Sequence, residues 1–261
     1  MKLQGRLSIG TLFRAFWGRI SVTWALTIVE TTMFALLPLL IGYSIDGLLN
    51  GDWTSFSQFL GVLAALLVVS TGRRVYDTRA YGTMRVELGK AQAARSGAEQ
   101  VSVTNARVLM GRELVDFLEE QAPETMTALI QVVASVVILL SFHGTLALSA
   151  GTATVAILVI YGLFAGWFFR LNAGLNERAE RQITALESRN SRKIGAHLLG
   201  LRRQEVRISD LESLVYGLIF AVLLAMLAFN LWFAATESGA TPGQIFSIVT
   251  YSYEFVQAAV T

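Results

Sequence analysis

The chain alternates between long apolar runs and long charged ones, and the alternation predicts most of its elements. Apolar runs lie at about 20–45, 53–71, 125–142, 145–169, 211–235 and 244–260. Each is close to the ~17–25 residues that a helix needs to cross a bilayer. In lipid every backbone amide must bond within its own segment, so these runs are predicted as helices. The run at 53–71 is the weakest, because its strongly apolar stretch FLGVLAALLVV is short and its ends are polar. The run at 20–45 starts too late and runs too long for a cleaved signal peptide, and no small-residue cleavage site follows it.

Between these runs, two long segments carry charge at helical spacing. RRVYDTRAYGTMRVELGKAQAARSGAEQ is rich in helix formers and has no proline, so the second run is predicted to continue as helix beyond the membrane. RELVDFLEEQAPETM then returns, giving a hairpin that projects roughly 35 Å at ~1.5 Å per residue. The segment 170–210 makes a second, shorter hairpin. Pairs such as Glu177 with Arg181 suit a solvated helix face.

Composition places these helices in a membrane. Of 261 residues 54% are apolar and 15% charged, against roughly 25% charged in an ordinary soluble domain. With no cysteine, disulfides, thiolate chemistry and Cys-based metal sites are excluded. All 21 Lys and Arg fall in 1–19, 72–124 and 170–210, while the connections DGLLNGDWTSFSQ, HG and TESGATPG hold none. Basic residues stay on the cytoplasmic side, so six spans with both termini inside are expected. The net charge of +2 is thereby a topology signal, and no nucleic-acid partner is expected. The predicted fold is all-α: a single six-helix transmembrane domain over 1–261 with two long cytoplasmic helical hairpins, in a membrane of the bacterial inner type.

Two acids interrupt the apolar runs. Glu30 lies ten residues into the first and Glu254 ten residues into the last, each about 15 Å deep. Both counts reach the midplane of a ~30 Å core, and no Lys or Arg is counted at that depth. Glu30 shares a helical stripe with Thr23, Thr27 and Thr31, and Glu254 with Ser247 and Tyr251, Thr250 being adjacent. A charge facing lipid costs from ~2.5 kcal/mol upward, so these stripes are predicted to face protein or a water-filled cavity. Two readings stand. In one, each Glu is protonated or hydrogen-bonded and locks helices together. In the other, Glu30, Glu254, Thr27, Thr31, Tyr251 and Ser247 line a pathway for a cation or proton.

Other signals are weaker. Pro38 is expected to kink the first span. Gly162 and Gly166 form a small-residue face suited to close helix packing. Trp24, Trp53, Trp167 and Trp232 fall near predicted interfaces, and Arg73, Arg74 and Arg170 are expected to anchor the cytoplasmic rim. Nothing forms a phosphate loop: LGKA at 88–91 lacks the hydroxyl residue and the earlier glycine. His143 and His197 have neither metal-ligand spacing nor a nucleophile beside them. No catalytic residue and no cofactor are expected, and metal binding is left open.

The stretch LLPLLIGYSIDGLLNGD, with its Pro, Gly and Asp before an outer loop, resembles the end of the first span in the membrane domains of ABC exporters. GRELVDFLEEQAPETM is similar to the returning arm of their first inner loop, through Gly111, Asp116 and Pro123, and TPGQIFSIVTYSYEFV to their sixth helix, through Gly243 and Tyr251. The resemblance implies a homodimer or higher homo-oligomer around a central cavity, with each chain supplying half a pathway. This chain departs from the family in lacking a nucleotide-binding domain, in a second hairpin some twenty residues short, and in having no Pro-plus-aromatic stretch in the first. The last span stops without a basic tail, which leaves room for a further C-terminal segment. The expected function is transport of a cation or small cationic solute without a built-in ATPase. The alternatives are a membrane subunit with a separately encoded ATPase, and a non-transporting sensor or scaffold.

Overall fold

The computed structural model describes residues 9–95, 101–187 and 190–260. Lys2, Arg6 and Arg189, which entered the charge pattern, lie outside the described residues, as do the side chains of Arg95 and Arg107. Every described element is helical. In chain order they are α1 (Ile9–Leu49), α2 (Thr54–Arg95), α3 (Val101–Asp116), a π turn (Phe117–Gln121), α4 (Ala122–Phe142), α5 (Gly144–Glu180), α6 (Gln182–Glu187), α7 (Ser191–Thr236) and α8 (Pro242–Val260).

The helices are longer than their apolar runs. At ~1.5 Å per residue the 41-residue α1 and the 42-residue α2 each reach about 60 Å, twice the thickness of a hydrocarbon core. As the helix-forming composition of 72–99 predicts, α2 continues unbroken past its apolar part. It packs against α3 to form the first hairpin, and α5, α6 and the start of α7 form the second.

The breaks between helices follow from local chemistry. Gly51, at φ +77°, takes the left-handed conformation that ends α1. Asp52 then caps α2, its Oδ1 accepting from the amide and hydroxyl of Thr54 at 2.9 and 2.7 Å. His143 caps α5 through Nδ1, which accepts from Thr145 N. Pro123 has no N–H to give, and just before it the backbone widens into a π turn closed from Ala122 N to Phe117 O.

Burial resolves into two cores. The larger joins α4, α5, α7 and α8 through Leu139, Leu146, Ile157, Leu223, Ile248 and Phe255. The smaller joins the start of α1 to α2 and α3 through Leu12, Ile20, Tyr81, Met84, Leu88 and Leu118. Trp24, partly buried, packs at the edge of this second core, 5.5 Å from Phe13. Gly162 and Gly166 are exposed and have open space beside them, so their small-residue face packs against nothing within the described chain.

Among the described residues five helical stretches are long and apolar enough to cross a membrane, and they involve α1, α2, α4, α5 and α7. The sixth apolar run became α8, which does not meet the same standard. Its Ser247, Thr250, Tyr251, Ser252, Glu254 and Gln257 dilute its hydropathy. That polarity is tolerable because α8 packs against α1, α4 and α7, so protein receives Ser247, Tyr251 and Ser252, which are buried, while Gln257 stays exposed.

Candidate functional site

The polar groups of the bundle gather on two seams of α1. The lower seam runs between α1 and α2. Arg73 donates through Nε to Glu30 Oε2 and through Nη1 to Asp77 Oδ2 at 3.1 Å, with Thr27 Oγ1 at 3.4 Å. The Glu30 side chain is nine-tenths buried. A buried carboxylate left alone is costly, and a bidentate or forked guanidinium is the partner best able to offset that cost.

This corrects one expectation and adds to another. Glu30 does have a cation at its level, and Arg73, expected as a rim residue, is also the partner of two acids. The count that made Glu30 a midplane residue began at Ile20, whereas α1 begins at Ile9 and runs straight through that position after a kink at Phe16. Counted instead from Leu49, at the tight turn, Glu30 lies about 28 Å along the axis, near the far edge of a ~30 Å core. Glu30 and Arg73 also stand equally far from the centre of the 50–53 turn. In an antiparallel hairpin that symmetry puts them side by side, and it was available from the sequence.

The upper seam runs between α1 and α8 and, among the described residues, carries no ion pair. Pro38 lies within α1, whose departure from helical φ/ψ is at Phe16 rather than here, and it has no N–H to give to the helical ladder. The hydroxyl of Tyr251 enters there, donating to Ala35 O at 2.7 Å and accepting from Leu39 N at 3.2 Å. Those two backbone groups would pair with each other in an unbroken turn. Ser247 Oγ lies 2.9 Å from Pro38 O and 3.1 Å from Gly243 O, one hydroxyl shared between two carbonyls. Above it the backbones touch: a Cβ on Gly243 would stand 2.0 Å from Gly42 O. Asp46 finishes the seam by accepting from Gly243 N at 2.9 Å and from the Thr241 hydroxyl. Gly42, Asp46, Gly243 and Tyr251 are thus parts of one joint.

Of the predicted stripe residues, Thr31 pairs its hydroxyl with Thr127 on α4 at 3.3 Å, and Thr27 donates back to Thr23 O at 3.0 Å. Among the described residues no hydrogen bond or ion pair joins Glu30 to Glu254. Glu254 faces α4, where Gln131 stands beside its carboxylate, and its Oε2 is buried with no hydrogen-bond partner. It makes no ion pair among the described residues.

Two polar clusters escaped sequence reasoning. Asn230 is fully buried, takes a hydrogen bond from Ser149 on α5 at 2.5 Å and gives one to Ser252 on α8 at 2.8 Å. A lone Asn in an apolar run is a usable signal for such cross-helix bonding. Arg85 bonds Asp116 and Glu119 where α2 meets the π turn. Burial raises the Glu119 carboxyl above its ordinary pKa, with the Arg85 guanidinium opposing that shift.

No group of three or more His, Cys, Asp or Glu side chains able to hold a metal occurs among the described residues. No curated protein matches the chain. A family model described as the ABC transporter transmembrane region does match it, over residues 9–243, and since that match covers most of the chain, the protein belongs to the ABC transporter transmembrane-region family.

Proposed function

We propose that the chain is a six-span unit with both ends cytoplasmic, forming with a second copy a pathway that carries a cation or small cationic solute across a bacterial inner membrane. One observation carries the choice of cargo. Glu254, with Gln131 beside it, presents one buried carboxylate oxygen, Oε2, that has no hydrogen-bond partner among the described residues, on the polar helix that packs against α1, α4 and α7. Buried polar atoms are almost always paired, so an orphan of this kind calls for a partner from outside the chain, and a carboxylate calls for a positive one. Glu30 has its own guanidinium and serves to hold α1 to α2. Thr27, Thr31, Ser247 and Tyr251 have their bonds within the bundle and shape the wall.

The test is cation uptake into nucleotide-free proteoliposomes, comparing the native chain with Glu254→Gln and Glu30→Gln. Uptake lost in Glu254→Gln with assembly intact is the expected result. Uptake equal in the two proteins rejects Glu254 as the cargo-facing group. Uptake that appears only when an ATPase subunit is co-reconstituted with ATP would move the reading to a membrane subunit served by a separate ATPase. The scaffold alternative predicts no uptake under either condition.

A further inference from the structure

Where α5 and α7 leave the hydrocarbon, they bound a groove of about 450 Å³ lined by Trp167, Arg170, Leu171, Arg207, Asp210 and Leu214, with buried Leu211 at its floor. We propose that this groove binds an anionic phospholipid, its phosphate held by Arg170 and Arg207 and its acyl chains lying along Trp167, Leu171 and Leu214.

Three independent observations meet here. The first is position. The apolar run of α5 ends at 169 and that of α7 begins at 211, so Arg170 and Arg207 both lie within about one turn of the predicted membrane boundary. Lipid phosphates lie at this level, and Trp favours it; Trp167 is half exposed on the groove wall.

The second is charge. Arg73, Arg85 and Arg181 each make an ion pair. Arg170 and Arg207 make none among the described residues, although Asp210 lines the same groove. Arg170 spends only its Nε, on Gly166 O at 3.1 Å, which fixes the guanidinium along the helix and leaves both terminal nitrogens for a ligand. Arg202 and Arg203, also without ion pairs among the described residues, line the adjoining hollow with Arg207. The basic excess favours an anion.

The third is shape and polarity. The groove walls are apolar apart from these charged side chains, which suits a molecule that is anionic at one end and hydrocarbon at the other. Asp210 adds a hydrogen-bond acceptor beside the two arginines, and a glycerol headgroup has hydroxyls to donate to it. Phosphatidylglycerol meets all of these requirements.

The test uses the purified, delipidated chain in detergent, with lipid binding followed by native mass spectrometry. Phosphatidylglycerol should bind well above phosphatidylcholine and phosphatidylethanolamine. Arg170→Gln/Arg207→Gln should weaken its binding by roughly ten- to thirtyfold, as expected from losing two arginines at a membrane surface. Each single variant, on an exposed side chain, should leave folding intact and show about a fivefold loss. Arg74→Gln/Arg79→Gln, which removes the same charge from the exposed face of α2, should leave binding unchanged. Equal loss in this second pair, or equal binding of phosphatidylcholine or phosphatidylethanolamine, overturns the site. Displacement by the deacylated glycerophosphoglycerol headgroup at matching concentration would also overturn it, because it would reveal a simple anion site with no role for the chains.

Discussion

The two seams of α1 handle buried polarity in opposite ways. Against α2, the lower half of α1 commits a full charge: Glu30 is matched by Arg73, which also serves Asp77. Against α8, the upper half has no such pair: around Pro38 a Tyr and a Ser hydroxyl are spent on carbonyls and an amide, and its one acid, Asp46 at the turn end, bonds only the neutral Gly243 amide and Thr241 hydroxyl. The difference tracks depth. Near the edge of a membrane, water and headgroups lower the cost of an ion pair, and long arginine side chains can reach them. Deeper in, the cost of a charge rises, and backbone groups freed by proline are satisfied by neighbouring side chains. Close helix approach through glycine then substitutes for electrostatic attraction.

The largest break in this contrast should come from Gly243→Val. Its Cβ would stand 2.0 Å from Gly42 O and 2.7 Å from the Asp46 carboxylate. A carbonyl in a helix cannot move aside as a side-chain tip can, so α8 must separate from α1. Overpacking costs typically 1–3 kcal/mol and more where backbone is struck, and we expect about 3 kcal/mol or loss of the folded form. Unfolding midpoints in detergent measure it. Gly162→Ala, where open space surrounds the position, should leave the midpoint unchanged. A mild effect at Gly243 would mean that the upper seam is not held by close packing.

Arg73→Gln should rank next. It leaves Glu30 and Asp77 buried together without their cation, and breaking a buried pair by removing one partner costs about 3–5 kcal/mol. Arg73 retains about a quarter of its side-chain exposure, which points to the lower end of that range. Glu30→Gln/Arg73→Gln should recover most of the loss, because it removes the stranded charge along with its partner. A double variant no better than the single would show that Arg73 acts through Asp77 or packing instead. The comparison of the seams would then lose its charged member.

The all-helical architecture was legible because period and charge act over long stretches. Apolar runs of membrane length and basic residues confined to three segments leave little freedom. The register between helices was less visible. Glu30 and Arg73 are 43 residues apart, and only the position of the 50–53 turn makes them neighbours. The same holds for Tyr251 and Ala35, which are joined across 216 positions. The counts that gave Glu30 and Glu254 a common depth depend on where each span starts, which is poorly marked when the helix continues well beyond the apolar run. The α8 helix was expected as a span by its apolar count, although it does not meet the standard that the five others do. Its burial against three other helices, which explains its polarity, depends on tertiary packing that no local pattern reports.

The finest test concerns the joint at Pro38. Tyr251→Phe removes the hydroxyl that bonds the turn around Pro38, leaving Ala35 O and Leu39 N without it. Two backbone groups deprived of a partner in a buried setting should cost about 1–2 kcal/mol. If the proline is what creates the need, the cost should shrink once the proline is gone. Pro38→Ala restores a backbone donor and removes the ring that presses on the preceding turn, allowing Leu39 N to return to Ala35 O. In that background Tyr251→Phe should cost only a few tenths of a kcal/mol, giving a coupling of about 1 kcal/mol in a double-mutant cycle. Additive effects would mean that Tyr251 is held by burial alone and that its two hydrogen bonds are incidental. Coupling of the expected sign would identify proline and tyrosine as one device, in which a break in one helix is completed by a side chain from another.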